Sequence, residues 1–478
     1  MQVYRQWPIY FIGRILPAAI AFGAIGLYTR LVDPSSFGTY ALLLSTSYLI
    51  SLSGFSWLRM ATIRMMATVS DEDLPDFTAT IAVSFAGISV LVAAILIATV
   101  HICNPSLPLS LAFLTAAAAI ASNWFELNIA LMQARMKLIT YGVLQAARAF
   151  ATLGATVLLV FAGFKAAALL GGFAIGNCTG FGIPGAWSAG WRGRFRRSIF
   201  MKFVRFGWPS SASSLAFSIV TVQRYLLAIV GGSAAVGVFA VASDFTNQSI
   251  GLLMGTVTIA GQPLAFRARD RGAAAQLDEQ LRNNARLLFG VGFAAAAGVI
   301  ALAGPLAHVF FGEKFRDGAQ AIVAISAVSM LIGGMRANYF EQAFEIVLET
   351  RPLAFLTALR IVATIVPSFF LIHRFGAIGA SVSMVLAEIV SIGASVVWGR
   401  RLIRMPVPFG SFAQIAGATL AMVAVIQLVP NRSSPLGLAL AIAAGVTTYV
   451  GLFALVHFRK LWSVVRLPRV VSGAVTRS

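Results

Sequence analysis

Residues 190–205 read Gly-Trp-Arg-Gly-Arg-Phe-Arg-Arg-Ser-Ile-Phe-Met-Lys-Phe-Val-Arg, the densest run of positive charge in a chain of 478 residues. Six of these residues are basic, and each would cost about 2.5–3.5 kcal/mol at the centre of a bilayer. The stretch is therefore expected in water or among lipid headgroups. Because the sequence on both sides of it is almost wholly apolar, it separates two hydrophobic halves.

The composition is that of a membrane protein. Only 11% of the residues are charged and 59% are hydrophobic, whereas a soluble domain carries about 25% charged residues. A net charge of +20 would suggest nucleic acid binding in a soluble domain. Here the basic residues lie between apolar runs, which is typical of cytoplasmic loops facing anionic lipids. We therefore expect anionic membrane lipids as partners, and no nucleic acid.

Apolar runs long enough to span a membrane recur fourteen times. Each has about 20–28 residues, enough to cross a core of roughly 30 Å at 1.5 Å per residue. The predicted fold class is an all-α polytopic membrane protein with about 14 transmembrane helices. The predicted spans are 10–32, 37–58, 78–100, 107–131, 140–162, 166–188, 204–230, 234–262, 286–311, 318–340, 353–373, 377–398, 409–429 and 436–457.

The basic run and a short internal repeat predict two six-helix lobes. Phe37-Gly38-Thr39-Tyr40-Ala41 opens the second span, and Val236-Gly237-Val238-Phe239-Ala240 opens the eighth. Repeated bundles are a common plan for transporters. The predicted domains are an N-terminal lobe at 1–190, a basic cytoplasmic linker at 191–203, a C-terminal lobe at 204–400, and two last helices with a basic tail at 401–478.

The distribution of basic residues predicts the orientation. If the N-terminus is cytoplasmic, 25 of the 36 Lys and Arg residues fall in inner segments, 6 in outer segments and 5 within spans. Positive charge accumulates on the cytoplasmic side of membrane proteins. Both termini are therefore predicted to be cytoplasmic, since an even number of spans returns the chain to the same side.

Charged residues inside the predicted spans are the candidate functional groups, because they are costly in lipid and face a cavity or a partner. They include more cations than anions, which predicts a cavity that favours an anionic ligand. The planar guanidinium group suits phosphate. The basic candidates are Arg14, Arg148, Arg224, Arg336 and Arg360, and the acidic ones are Glu126, Asp244 and Glu388.

Each of these residues also has a structural explanation. Arg14 is one turn from the inner surface, so its side chain can extend to the interface. Glu126 lies among asparagines that can join helices by hydrogen bonds. A carboxylate near the middle of the membrane, such as Asp244 or Glu388, can be satisfied by a neighbouring Ser or Arg, but it is also what proton or cation coupling requires. All three carboxylates are therefore coupling candidates.

The motifs of several enzyme classes are missing from the sequence. It contains no P-loop and no nucleophile with a base beside it. The four histidines and the two cysteines, Cys103 and Cys178, do not have the spacing of metal ligands. The sequence therefore predicts no catalytic residue, no metal and no cofactor, apart from H⁺ or Na⁺ as a coupling ion.

Five short segments are spread in order over nearly the whole chain: 28–40, 203–209, 237–242 with Gln262-Pro263, 311–319 and 374–380. Together they resemble the Wzx-type polysaccharide flippases of the multidrug/oligosaccharidyl-lipid/polysaccharide exporter superfamily. In one respect the chain departs from that family, whose members often carry an acidic residue beside the basic one in span seven. Here the pair is Gln223-Arg224, which leaves Asp244 as the nearest coupling candidate.

The resemblance implies a function that is not enzymatic. Such proteins move an undecaprenyl-pyrophosphate-linked oligosaccharide from the cytoplasmic to the periplasmic leaflet of the bacterial inner membrane, for exopolysaccharide or lipopolysaccharide biosynthesis. Two lobes form a V and rock between inward-open and outward-open states. The resemblance also implies partnership with a polysaccharide polymerase and export machinery. The arginines within the spans would then line a cavity that captures the pyrophosphate.

Three alternatives remain from the sequence. A multidrug exporter on the same fold would need an anionic or apolar cavity, and the arginines argue against it. A membrane glycosyltransferase or polymerase would carry a large outer loop, whereas the longest outer link has about a dozen residues. A flippase for the peptidoglycan precursor has the same chemistry and is the alternative that the sequence separates least well.

Overall fold

The computed structural model describes residues 20–66, 69–70, 72–134, 138–182, 193–214, 218–347, 349, 351–407 and 409–465. Within these ranges the chain is helical and contains no strand, which confirms the predicted all-α class. The helices of the first half are α1 Ile20–Leu31, α2 Pro34–Met66, α3 Leu74–Cys103, α4 Leu109–Ala134, α5 Leu138–Phe161 and α6 Ala166–Cys178, followed by a 3₁₀ turn at Thr179–Gly182.

The second half contains two very long helices among shorter ones. α8 has 53 residues and α14 has 49. A π-helical turn at Arg336–Phe340 follows α12. The helices are α7 Arg197–Ser214, α8 Ser218–Asp270, α9 Ala274–Ala301, α10 Ala303–Phe310, α11 Glu313–Arg316, α12 Ala319–Met335, α13 Gln342–Ile346, α14 Arg351–Gly399, α15 Phe409–Leu428 and α16 Pro435–Val465.

Each of the two long helices reverses at one glycine. Gly232 in α8 has φ of 73°, and Gly376 in α14 has φ of 55°. Left-handed backbone of this kind carries little strain only for glycine. Each helix covers two predicted spans, because the predicted turns at 231–233 and 374–376 coincide with these glycines.

Ten helices in the described ranges are long and apolar enough to cross a membrane. Each of the two long helices is counted once in this ten. Two further apolar helices, at 20–31 and 166–181, are shorter. The chain is therefore a multi-pass membrane protein, and the predicted count of fourteen spans stays a prediction.

The largest hydrophobic core joins the two halves of the chain. Phe37 of α2 contacts Phe315 of α11 edge to face, with ring centroids 5.9 Å apart. Within the second half, Phe245 of α8 contacts Phe311 edge to face at 5.3 Å and extends the same core. Four of the fully buried large side chains of the protein are Phe239, Phe245, Phe311 and Phe315. Burial of such rings stabilises this contact between the halves.

The backbones of α2 and α8 touch at the end of the bundle that the charges predict to be outer. A Cβ atom on Gly38 would lie 1.7 Å from the Ser233 carbonyl oxygen, and one on Gly237 would lie 2.0 Å from that of Pro34. The hydroxyls of Ser35 and Ser233 are 2.8 Å apart. The two glycines of the internal repeat therefore permit this contact, and we call it the outer contact.

A second close contact lies next to the outer contact, between the end of α1 and the α10–α11 turn. The Gly312 amide donates to Thr29 Oγ1 at 2.9 Å, and a Cβ atom on Gly312 would lie 2.0 Å from the Thr29 carbonyl oxygen. Arg30 Nη2 donates to the Val309 carbonyl oxygen at 2.7 Å. The end of α1 is thus fastened to the α10–α11 turn by hydrogen bonds between side chains and backbone at the same end.

The described part of the basic run, from Gly193 onward, docks on the start of α3. The Arg194 amide donates to Asp76 Oδ1 at 2.8 Å, and the Arg196 amide donates to Thr80 Oγ1 at 3.0 Å. The Arg196 guanidinium also pairs with the Asp76 carboxylate. Two basic residues of the run therefore serve to fix it to the first half.

Candidate functional site

A cavity of about 750 Å³ lies between the helices of the first half and α8. Its walls come from α1, α2, α5, α6 and both arms of α8. This volume is within the range of sites that bind sizeable organic ligands. The charged residues that line it are Arg59, Arg148, Arg224 and Asp244.

Arg224 and Asp244 form a tight ion pair between the two arms of α8. Arg224 Nη2 donates to Asp244 Oδ1 at 2.7 Å and to Oδ2 at 2.8 Å. Its Nη1 donates to the hydroxyl of Ser45 on α2 at 2.7 Å. The Arg224 side chain is 7% exposed and that of Asp244 is 47% exposed. The arginine thus connects α8 to α2, while the carboxylate faces the cavity.

Arg59 and Arg148 share the carboxylate of Glu126 in a part of the cavity away from the Arg224–Asp244 pair. Arg59 Nη1 lies 3.4 Å from Glu126 Oε2, and Arg148 Nη1 lies 3.4 Å from Glu126 Oε1. The Arg148 guanidinium also lies 4.5 Å from the centroid of the Phe125 ring, an arrangement that favours a cation. Two cations with one anion leave an excess of positive charge, and guanidinium donors not used by Glu126 are available to a ligand.

A second cluster of charges lies away from this cavity, where α12, the π-helical turn and α14 meet. Arg336 Nε donates to Glu388 Oε2 at 2.7 Å, and Arg360 Nε lies 3.0 Å from Glu388 Oε1. Arg336 Nη1 also donates to Glu341 Oε1 at 2.5 Å. Two arginines and two carboxylates balance within the cluster, so these arginines are already paired.

The side chain of Gln223, next to Arg224 in the sequence, contacts α14 and does not line the cavity. Its Nε2 donates to Ser368 Oγ at 3.0 Å, Ser383 Oγ at 2.9 Å and the Ala380 carbonyl oxygen at 3.2 Å. The side chain is fully buried. An uncharged amide therefore ties α8 to α14 at the position where an acidic residue was expected from the family resemblance.

The structure brings some of the predicted site residues together and separates others. Arg148, Arg224 and Asp244 line the cavity, and Glu126 bridges two arginines at its edge. Arg336, Arg360 and Glu388 form the separate cluster and are not among the residues that line the cavity. Arg14 lies outside the described residues.

Sequence reasoning missed Arg59. The predicted second span ends at residue 58, which puts Arg59 in a cytoplasmic segment. The helix α2 instead continues to Met66, so Arg59 lies inside it and faces the cavity. Glu126 and Arg148 give the signal that could have found it, because a carboxylate near the inner end of a bundle requires cations nearby.

Within the described ranges, no group of three or more His, Cys, Asp or Glu side chains is placed to hold a metal ion. The charged side chains of the cavity are its arginines and Asp244, with Glu126 at its edge. Arginine and carboxylate side chains in a water-accessible cavity are suited to binding and releasing an anion.

The fold is similar to that of solved transporter structures. Over 95% of this chain and 99% of the other, it matches "Lipid II flippase MurJ, inward closed conformation" with a TM-score of 0.78 at 14% identity. It matches an inward-facing multidrug resistance MATE transporter of the MOP superfamily over 82% of this chain and 97% of that one, with a TM-score of 0.61 at 16% identity. Identities this low show the fold alone.

A third similar structure is a MOP superfamily transporter from Pyrococcus furiosus, which covers 84% of this chain and 94% of its own, with a TM-score of 0.58 at 16% identity. The likeness to MurJ and MATE transporters confirms the predicted fold of an all-α transporter-like bundle. Among curated proteins, none matches the sequence. A family model described as "Polysaccharide biosynthesis protein" matches residues 27–320, more than half of the chain, which therefore belongs to this family of polysaccharide biosynthesis proteins.

Proposed function

We propose that this protein is a flippase that moves an undecaprenyl-pyrophosphate-linked oligosaccharide from the cytoplasmic to the periplasmic leaflet by alternating access. The observation that carries the proposal is the pair of arginines, Arg59 and Arg148, that share Glu126 at the edge of a large cavity. Membership of the polysaccharide biosynthesis family and a transporter fold support it.

The chemistry of the arginine pair suits a diphosphate. The planar guanidinium forms paired, charge-assisted hydrogen bonds with phosphate oxygens. Contacts of 3.4 Å to one shared carboxylate are long for such bonds, so a diphosphate that carries more charge would displace Glu126 readily. The glycan would then occupy the cavity, and the lipid tail would remain in the bilayer.

The proposal is tested by transport in reconstituted vesicles. Purified protein is incorporated with undecaprenyl-diphosphate-linked oligosaccharide, and the fraction of glycan accessible to an external glycosidase is followed over time. We expect protein-dependent transfer between leaflets, and we expect Arg59→Ala and Arg148→Ala each to lower its rate at least tenfold. Arg→Lys variants at these positions should recover only part of the rate, because lysine is a point charge without the planar fork.

Arg271→Ala is the matched control, since Arg271 is exposed in the turn after α8. It should transport at the wild-type rate. The proposed function is wrong if wild-type vesicles transfer no more glycan than protein-free vesicles. It is also wrong if both cavity variants transport at the wild-type rate when reconstituted in equal amount.

Coupling to H⁺ or Na⁺ belongs to the same proposal, with Asp244 as its first candidate. Its carboxylate is half exposed to the cavity and also paired with Arg224, so binding of a cation there would compete with the arginine. Glu126 is a second candidate because it faces the arginine pair. Glu388, only 4% exposed between two arginines, suits a structural role better. Transport by Asp244→Asn that no longer responds to an ion gradient would support coupling at Asp244.

The cavity supports some cargo alternatives more than others. A peptidoglycan-precursor lipid carries the same diphosphate, and comparing the two lipids in the vesicle assay separates these cargoes. A cationic drug would be repelled by the excess of arginines at Arg59 and Arg148. We also propose location in the bacterial inner membrane, with cytoplasmic termini and with polysaccharide polymerase and export machinery as partners.

A further inference from the structure

The cavity has an uncharged face next to its arginines. Three tyrosines line it, Tyr28 from α1 and Tyr40 and Tyr48 from α2, together with the amides of Gln145 on α5 and Asn177 on α6. Tyr48 is 51% exposed although it lies in the middle of a helix. We call these five residues the tyrosine–amide face.

The tyrosine–amide face continues directly from the arginine pair. Along α2, Tyr48 and Tyr40 lie eleven and nineteen residues before Arg59, or roughly 16 Å and 28 Å at 1.5 Å per residue. On α5, Gln145 lies three residues before Arg148, so both project from the same side of the helix. A ligand with its anionic group at the arginines would therefore extend along this face toward the outer contact.

The two amide oxygens of the face have no hydrogen-bond partner. Gln145 Oε1 and Asn177 Oδ1 are buried and unpaired, while the Asn177 Nδ2 donates to the Phe173 carbonyl oxygen at 2.7 Å. Close packing fixes Asn177 beside α5, since a Cβ atom on the preceding Gly176 would lie 1.8 Å from Thr152 Oγ1. Buried acceptors are normally satisfied, so a small turn of either amide toward the cavity would let its oxygen accept from a hydroxyl donor of a ligand.

We propose that the tyrosine–amide face binds the uncharged sugars of the transported lipid and that it selects the glycan, whereas the arginine pair binds the diphosphate. This inference rests on the proposed function. Aromatic rings stack on the flat C–H faces of sugar rings, and sugar hydroxyls donate to amide oxygens. A lipid tail could not satisfy the two oxygens, and the face carries no carboxylate that would attract a cationic drug.

Binding measurements on purified full-length protein separate the two parts of the site. The probes are bare undecaprenyl diphosphate and the same lipid carrying a trisaccharide of neutral hexoses, of N-acetylhexosamines or containing a uronic acid. We expect wild-type protein to bind at least one uncharged glycolipid more tightly than the bare lipid. Tyr48→Ala should lower the ratio of glycolipid affinity to bare-lipid affinity about tenfold and leave binding of the bare lipid unchanged. Tyr48→Phe should retain the wild-type preference.

Asn177→Leu and Gln145→Leu should reduce the same preference, and two positions are used in case one variant fails to fold. Phe150→Ala is the matched control, because Phe150 is an aromatic residue of α5 that is 57% exposed and does not line the cavity. Arg59→Ala should weaken binding of bare and glycosylated lipid alike, which tests the proposed function separately.

Two results would overturn the assignment of the tyrosine–amide face. The first is that the wild-type protein binds none of the glycolipids more tightly than the bare lipid. The sugars would then make no favourable contact with the two oxygens. The other is a loss in Tyr48→Ala and both amide variants that is equal for bare and glycosylated lipid. If Arg59→Ala and Arg148→Ala leave binding of all lipids unchanged, the proposed diphosphate site fails instead.

Discussion

At the residue scale, the arginines of the protein differ in how completely carboxylates neutralise them. Arg336 lies within hydrogen-bond distance of two carboxylates, whereas Arg59 and Arg148 share Glu126 at longer distances. A fully paired buried arginine has little to gain from a ligand, because its desolvation is already offset. Exposed, incompletely paired arginines bind an anion with less rearrangement.

The paired cluster should therefore contribute to stability. Glu388→Gln keeps the shape of the side chain but leaves Arg336 and Arg360 with less negative charge in a buried place. Breaking a buried ion pair costs about 3–5 kcal/mol, so we expect clearly easier unfolding of the purified protein in detergent, measured by thermal or chemical denaturation. Glu279→Gln, at an exposed position of α9, is the control, and equal stability of the two variants would contradict this role.

Asp33 provides a pH-dependent contribution at the start of α2. The Ser36 amide and hydroxyl each donate to its carboxylate at 2.9 Å. Burial alone would raise the pKa of Asp33, but these bonds and the charge of Lys165 outweigh it and lower the pKa below its usual range. The stabilisation is therefore complete above the unfolded-state pKa and is lost as the pH falls through the lowered folded-state pKa.

Asp33→Ala should destabilise the protein by about 1 kcal/mol at neutral pH, as removal of a helix cap does. The difference in unfolding temperature between wild type and variant should shrink as the pH falls below about 4, where aspartate begins to protonate. Asp317→Ala, at an exposed position, serves as the control. A difference that stays constant down to pH 2 would show that the carboxylate charge is unimportant.

At the scale of the element, α2 combines three roles along one helix. Its first turns form the outer contact with α8 through Gly38. Its middle presents Ser45 to Arg224 and Tyr48 to the cavity, and Arg59 lies near its end. Because one continuous helix carries all three, a movement of α2 that opens the outer contact also moves Arg59 and Tyr48 relative to α5 and α6.

A cysteine pair at the outer contact should lock this arrangement. The hydroxyls of Ser35 and Ser233 are 2.8 Å apart, so Ser35→Cys with Ser233→Cys, in a chain in which Cys103 and Cys178 are replaced by Ala, should form a disulfide on oxidation. We expect a mobility shift on non-reducing gels and loss of glycan transfer that a reductant restores. Adding Gly38→Leu should reduce cross-linking several-fold, because its side chain would overlap the Ser233 carbonyl.

Efficient cross-linking without any effect on transfer would mean that the outer contact does not open during transport. Cross-linking that Gly38→Leu leaves unchanged would mean that the close approach of the two glycines is not needed for the contact. A Ser35→Cys single variant is the control for both measurements, since it cannot form the intramolecular bond.

Much of the fold could be predicted from the sequence, because lipid demands long apolar helices wherever the chain crosses it. The turns at Gly232 and Gly376 lie in the short gaps between the predicted apolar spans. The side-chain pairings could not be predicted, since they depend on helix rotation and on where a helix ends. Arg59 was missed because α2 continues beyond its apolar run, and the contact of Gly38 with α8 requires the packing of two distant segments.

At the scale of the whole molecule, charge decides how the bundle lies in the membrane. Exposed arginines gather at one end of the described helices, including Arg267, Arg269 and Arg271 at the end of α8 and Arg400 and Arg401 after α14. Near an anionic leaflet each such residue contributes about 1 kcal/mol. Arg59 lies in the half of α2 nearer this end, and Arg148 lies in the corresponding half of α5. Under the proposed function and topology, a lipid-linked diphosphate made in the cytoplasm would enter here.

Thiol labelling in intact cells tests this orientation. In a chain without Cys103 and Cys178, Arg269→Cys should react only with a membrane-permeant maleimide, because the predicted topology puts it in the cytoplasm. Ser433→Cys, in the exposed turn between α15 and α16, should react with an impermeant reagent as well. The reverse pattern would put the arginine pair nearer the outer leaflet and the outer contact at the cytoplasmic end, so that a substrate delivered from the cytoplasm would meet the end of α2 closed by Gly38 and Gly237. The proposed direction of transport would then fail even if the lipid-binding residues were correctly assigned.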